Sequence, residues 1–417
     1  MSALNNGSSG IHVRSSGSGQ AKRLNYFFPN STSPQRFEIS VKQDFLDLTL
    51  RKVRDYRPSP GLFSDWTIEG PPEDRIAGLA KHWAKKYRWK DVEKKLNRDH
   101  EHYAVTVPGS SNYTAGIPLH FIHKRSKDSN AIPILMLHGW TSTYLEWSNA
   151  IEKLGQGGNQ SFHIVAADLP GFGFSPLATQ PGLGPKEMAA AFDTLMHKLG
   201  YDTYGIATTD LGFIVGMWMV QGFRDNIIGH FTDYYFVPLD EADLARQARG
   251  ETTEEENTYI ETFNEWFSKH ALYISANTQK PQLISTALTD SPVSWSAWLW
   301  DLKHACSDGY PYTNDEIITE TMTSWIQSPY GGTRGYQQIL AAGTVFPKTD
   351  LPTGVTQWGG INGPFPPIAE FNLAPRDWVE RTANVVYFKR YAFGGHFPAI
   401  NHPDIWAQDL QSFFASL

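Results

Sequence analysis

The pentapeptide Thr208-Thr209-Asp210-Leu211-Gly212 joins the run Tyr204-Gly205-Ile206-Ala207 to an apolar stretch from Phe213 to Val220. A strand passing at once into a helix is expected there, with Asp210 on the corner. Such a corner is where Gly-x-Ser-x-Gly sequences hold an exposed nucleophile above a sheet. A serine would point to acyl transfer. A carboxylate points to displacement at carbon, giving an alkyl ester that water must then hydrolyse. The competing reading is an Asp that only caps the helix beginning at Leu211. The surrounding sequence has to decide between them.

Two runs upstream are apolar throughout, 132–137 (IPILML) and 162–167 (FHIVAA), with a helical segment, 144–154, between them. Runs of this kind suit parallel strands covered on both faces. Strands alternating with helices imply βαβ units and a doubly wound, mostly parallel sheet. The corner strand (about 203–208) and residues 227–235 continue the pattern. The stretch 117–123 (IPLHFIH) alternates like an edge or half-buried strand. From 237 to 348 the chain turns helical and rich in Trp and Tyr, as a helical cap inserted into the sheet domain. The sheet resumes at 354–356 and 385–388, and 403–414 is the closing helix.

Composition narrows the function. The 417 residues, 41% hydrophobic, allow a sizeable core. A formal net charge of -7 offers no basic patch for nucleic acid or an anionic membrane. The basic run 81–88 (KHWAKKYR) reads as a solvated helix face. The single cysteine, Cys306, excludes a disulfide within the chain or a thiolate metal cluster, and reads as packing. The histidines show no metal-ligand spacing, so no metal and no cofactor is expected. Residues 1–24 are Ser/Gly-rich and read as a disordered leader rather than a signal peptide or membrane anchor. A cytoplasmic location is expected.

A second chemical signal is Gly394-Gly395-His396-Phe397-Pro398-Ala399, after the last strand. Glycines before a loop histidine let the backbone come close to a reacting group. His396 also follows Asp210 in chain order, as a base for this corner should. A third group must orient its imidazole. Glu370, after the penultimate strand, is best placed. Asp377 and Glu380 compete from the helix after Pro375, and Asp233 is a further candidate.

These residues carry a resemblance. His138-Gly139-Trp140, Asp210-Leu211-Gly212, Tyr273 with Thr278-Gln279-Lys280-Pro281 and Asp290-Ser291-Pro292-Val293, Arg334-Gly335-Tyr336, and 374–381 leading to Gly394-Gly395-His396-Phe397 resemble the epoxide hydrolases of the microsomal and juvenile-hormone type. Trp83, Trp89 and 93–97 resemble that family's N-terminal region. The resemblance covers nearly everything after the leader. It implies an α/β-hydrolase fold: a core of 126–236 and 349–417, a cap of 237–348, and an extension of 25–125 wrapping the core. It further implies that Asp210 attacks the epoxide, that Tyr273 and Tyr336 protonate its oxygen, and that His396, held by Glu370, activates water. Backbone N–H groups of Trp140 and Leu211 would form the oxyanion hole. A phenol with pKa near 10 suits protonation of an alkoxide. Trp140, Thr209, Trp298 and Phe397 are expected around the substrate, and Trp295, Trp300 and Trp325 also suit a bulky apolar molecule.

The chain departs from the family pattern at three places. Thr141 replaces the proline after His-Gly-Trp. Thr208-Thr209 replace the usual glycines before the nucleophile and bring hydroxyls near its carboxylate. The stretch 357–367 (QWGGINGPFPP) lengthens the approach to Glu370. Two enzyme readings follow: a hydrolase turning a small apolar epoxide into a vicinal diol, or a repurposed cyclisation or cycloaddition catalyst of secondary metabolism. A haloalkane dehalogenase fits less well, because Leu211 stands where those enzymes often carry Trp. A non-catalytic binding protein would have no need of the full polar set. A homodimer is compatible with the scaffold.

Overall fold

The computed structural model describes residues 24–365 and 373–417. Residues 1–23 of the expected leader, and Glu370, lie outside the described residues. Nine strands form one sheet: β1 (Gln35–Arg36), β2 (His102–Val107), β3 (Ile117–Lys124), β4 (Ile132–Leu137), β5 (Phe162–Ala167), β6 (Tyr204–Thr208), β7 (Ile227–Thr232), β8 (Pro352–Trp358) and β9 (Asn384–Tyr391). Their order is β1-β2-β3-β5-β4-β6-β7-β8-β9. From β5 to β9 every pairing is parallel, and β1, β2, β3 and β5 pair antiparallel. The apolar runs have become the buried centre, and all five residues of β6 are buried.

β3 departs from its expected place. It lies between β2 and β5, and six of its eight residues are buried. The cause is the preceding chain, which adds β1 and β2 outside it. The same region supplies α1 (Gln43–Arg54), α2 (Trp66–Glu69), α3 (Glu73–Lys85) and α4 (Trp89–Asp99). α3 buries Ile76, Leu79, Ala80 and Trp83, spaced three and four apart, which fixes one helix face inward. In α4 the buried Glu93 accepts from the Val41 N–H at 2.8 Å and the Trp89 indole at 3.0 Å, and meets Lys90 Nζ at 2.7 Å. The Asn97 amide bonds both N–H and C=O of Ile39, as a neighbouring strand would.

On the sheet lie α5 (Ser148–Leu154), α6 (Pro185–Lys198) and α7 (Asp210–Gly222). α7 packs on β4, β6 and β7 and beside α6. Between β7 and β8 come α8 (Glu241–Ala248), α9 (Glu254–Lys269), α10 (Leu272–Gln279), α11 (Pro281–Thr289), α12 (Pro292–Cys306), α13 (Asn314–Trp325) and α14 (Tyr330–Ala341). Their boundaries are written locally. Thr253 and Thr313 make reciprocal caps with Glu256 and Glu316, and Pro281 and Pro292 open α11 and α12. The chain ends through α15 (Arg376–Val379), α16 (Pro398–Asn401) and α17 (Pro403–Phe414), the last against α5, β7 and β8. Among the described residues no helix is long and apolar enough to cross a membrane.

The helical insertion is tied to the N-terminal region along its back. The Trp66 indole donates to Asp301 at 2.9 Å and stacks on His304 at 3.9 Å. Lys52 meets Asp290 at 2.6 Å, Trp325 donates to the Thr49 hydroxyl at 3.1 Å, and Asn25 donates to the Ile326 carbonyl at 2.7 Å. Of the tryptophans of α12 and α13, Trp300 and Trp325 take part in this packing, against Trp66 and Thr49.

Candidate active site

Asp210 sits on the corner between β6 and α7 with φ of +45°. A non-glycine residue in the left-handed region costs on the order of 1–3 kcal/mol and persists only where its surroundings enforce it. The enforcement is visible next door. A Cβ on Gly139 would fall 2.2 Å from the Asp210 Cβ, so only glycine admits the elbow at this approach. The following Trp140 N–H donates to Asp210 Oδ1 at 2.6 Å. Asp210 also stands at the N-terminus of α7, whose dipole favours a carboxylate. Oδ1 is thereby held, and Oδ2 faces His396 Nε2 at 3.8 Å.

His396 follows the sheet's last strand. Burial lowers its pKa below the ordinary value, the Asp210 charge opposes this, and the Lys303 ammonium adds to it. The imidazole is therefore neutral at neutral pH, in the form a base requires. Tyr234 and Phe397 pack against it with ring centroids at 5.3 and 4.9 Å.

Above Asp210, Tyr273 of α10 and Tyr336 of α14 meet edge to face at 5.9 Å. Tyr336 also packs on Trp140 at 5.3 Å. Burial pushes both phenols well above their ordinary pKa. Tyr336 and Asp210 add to the rise at Tyr273, and Asp210 adds to it at Tyr336. Both remain donors over the whole accessible pH range. A cavity of about 270 Å³ brings together Trp140, Asp210, Leu211, Tyr273, Tyr336, His396 and Phe397. The rest of its wall is mostly apolar or aromatic, including Ile214, Trp266, Ile274, Leu302 and Leu340.

Several sequence-based expectations land elsewhere. Thr209 is fully buried beneath the elbow and does not line the cavity. The Thr208 hydroxyl pairs with His230 at 2.7 Å instead of approaching the nucleophile. Trp298 faces a second cavity, between the N-terminal region and α12. Trp300 packs on Trp66, while Trp295 is buried against Trp140. Of the competing acids, Asp233 is buried near Asp210, and its Oδ1 has no hydrogen-bond partner among the described residues. Burial pushes Asp233 up to about 7 against the pull of Thr209 and Trp406, and its Oδ2 accepts from the Trp406 indole at 2.7 Å. Asp377 is exposed, and Glu380 pairs with Arg376. Cys306 is part of the cavity wall, where burial raises its thiol pKa far above the ordinary value. Tyr234 and Trp266 are wall residues that the sequence reading missed. Tyr234 could have been found from its place just past a parallel strand, where ligands gather in open α/β sheets.

The sequence profile of the epoxide hydrolase N terminus matches residues 34–147. The chain is related to the epoxide hydrolases of the microsomal and juvenile-hormone type. It is 28% identical over 415 residues to the juvenile hormone epoxide hydrolase of Bombyx mori, covering 91% of this chain and 86% of that protein. It is 23% identical over 419 residues to epoxide hydrolase 1 of Sus scrofa, covering 91% and 88%. The crystal structure of the Bombyx mori enzyme superposes with a TM-score of 0.79 at 23% identity, over 94% of this chain and 98% of that one. That likeness gives the α/β-hydrolase fold. Against the family pattern, Thr141 adopts φ of +69°, and no peptide bond among the described residues is cis. The Trp140 N–H still reaches Asp210.

Proposed function

We propose that this chain hydrolyses a small apolar epoxide to a vicinal diol in two steps. Asp210 Oδ2 attacks the less hindered epoxide carbon while the carbon–oxygen bond of the ring breaks. The leaving oxygen takes its proton from Tyr273 or Tyr336, whose raised pKa values keep a proton available. The alkyl ester then carries Oδ1 as its carbonyl oxygen, already held by the Trp140 N–H, with Leu211 next in line as second donor. A water between His396 Nε2 and the ester carbon loses a proton to the imidazole and attacks. Collapse of the tetrahedral species releases the diol oxygen, which takes that proton back from His396, and the proton left on the Asp210 carboxyl returns to the tyrosinate, so that both groups regain their starting state. Glu370 is proposed as the group that orients His396.

The observation that carries this reading is the division of labour at Asp210. One oxygen is bound by a backbone N–H, and the other faces the His396 imidazole at 3.8 Å. Supporting it are the two phenols on the opposite wall and relatives named as epoxide hydrolases. A cyclase would have no use for an imidazole beside the carboxylate. A single turnover in heavy-oxygen water tests the proposal. The first diol should carry unlabelled oxygen from Asp210, and the label should appear in the Asp210 carboxylate. Asp210→Asn should abolish turnover. A product of unchanged mass would instead identify a cyclase.

A further inference from the structure

The loop that carries His396 is anchored to the cap as well as to the sheet. The His396 N–H donates to the Cys306 carbonyl, at the end of α12, at 2.8 Å. Ser307 and Gly395 form an isolated antiparallel bridge. Gly395 has φ of +65°, and a Cβ there would lie 2.6 Å from the Cys306 carbonyl oxygen. Beside this seam stands Asp308. Its carboxylate accepts from the Gly394 N–H at 2.9 Å, from the Asn362 N–H at 2.6 Å and from the Asn362 amide at 3.1 Å. Gly394 belongs to the base loop and Asn362 to the loop leaving β8. One carboxylate thus binds both loops to the cap. The same loops meet directly where Gly395 N–H donates to the Gly359 carbonyl at 2.8 Å.

We propose that Asp308 is a positioning residue for the base: it sets where His396 stands over the alkyl ester. This rests on the hydrolytic reading above. Bonds from N–H groups to a carboxylate are stronger than bonds to a neutral acceptor, and three converge here. Asp308 has no hydrogen bond or ion pair with Asp210, Tyr273 or Tyr336 among the described residues. Its loss therefore acts on ester hydrolysis and leaves ring opening intact. A displacement of about 1 Å in a reacting group lowers a rate roughly 10²-fold.

The full chain is mixed with excess styrene oxide as the probe. Quenched samples are read for adduct by intact mass and for diol. Asp308→Ala should alkylate at the parent rate and hydrolyse the ester roughly 10²-fold more slowly, so that adduct accumulates. Asp308→Asn should show the same partition to a smaller degree, and it decides the matter if the alanine variant does not fold. Ester decay at the parent rate would overturn the proposal. So would an equal fall in both half-reactions, which is what general loosening produces. Solvent oxygen entering the parent enzyme's first diol directly would overturn the reading of Asp210 itself, a result that needs no Asp308 variant.

Discussion

Gly139→Ala is the sharpest test of the elbow. The added Cβ would lie 2.2 Å from the Asp210 Cβ and 2.5 Å from its Oδ1, against an ordinary contact of 3.4 Å or more. Both Cβ atoms are fixed by backbone, one of them on a corner with φ of +45°, so neither can rotate away. One segment must move by about an ångström, which costs roughly 10²-fold in rate, or about 2.7 kcal/mol of transition-state stabilisation. The shift also strains the 2.6 Å bond from Trp140 to Oδ1, which serves both chemical steps. Alkylation and hydrolysis should therefore both slow, unlike the Asp308 variants. Overpacking costs typically 1–3 kcal/mol of stability as well. Stopped-flow alkylation with styrene oxide, single-turnover hydrolysis and thermal unfolding would be measured on the same preparation. A variant within twofold of the parent in both steps would refute the idea that glycine is required for the approach.

Tyr273→Phe and Tyr336→Phe should each slow alkylation, and the double variant should lose the roughly 10²–10⁴-fold contribution of a general acid; an unaffected double variant would remove the phenols from the mechanism. Ester hydrolysis needs neutral His396, whose pKa is lowered mainly by burial. Its rate should rise with pH through a midpoint below the ordinary histidine value and then stay level, and a midpoint above that value would contradict the assignment. Glu256 is held at about 2, chiefly by its bonds to Arg246, which outweigh burial. It also accepts from the Trp378 indole at 2.8 Å, tying α9 to α15. A depressed carboxylate stabilises the fold above its unfolded pKa and loses that contribution as pH falls toward the folded value. Glu256→Gln should accordingly flatten the part of the acid loss of melting temperature that falls between about pH 4.5 and 2.

The residues that meet at the cavity were legible because each carries a local signature. Asp210 stands at a change of period from strand to helix, His396 follows paired glycines, and the cap tyrosines have distinctive neighbours. What escaped the sequence is pairing and direction. β2 joins β1 across a gap of more than sixty residues, and nothing local in either strand announces that contact. β3 consequently reads from its sequence as an edge or half-buried strand. Two histidines inside this region also broke the apolar pattern, although His102 and His120 bond each other at 3.0 Å and His120 bonds Asp168 at 2.7 Å, which makes their burial tolerable. A tryptophan's composition says it will be buried but not against what. Trp298, Trp300 and Trp325 turned toward the N-terminal region, and the cavity wall went to Trp266, Ile274 and Leu302 instead. Thr208 and Thr209 were placed beside the nucleophile by sequence distance alone, whereas the strand's alternation sends their hydroxyls to His230 and toward Asp233.

The anchoring of the cap has a kinetic meaning. At its back it is riveted by Trp66, Lys52 and Trp325, and at its front by the strand-like seam with the base loop. A roof fastened on two sides is a wall, not a hinged door. Traffic of epoxide and diol then depends on side chains rotating at the cavity's rim, such as Phe267, which is 43% exposed. Such rotations belong to the picosecond-to-nanosecond range, far faster than the microsecond-to-millisecond closure of a lid. Under the proposed mechanism, this architecture is expected to place the clock of turnover on bond-making at Asp210 rather than on opening of the enzyme.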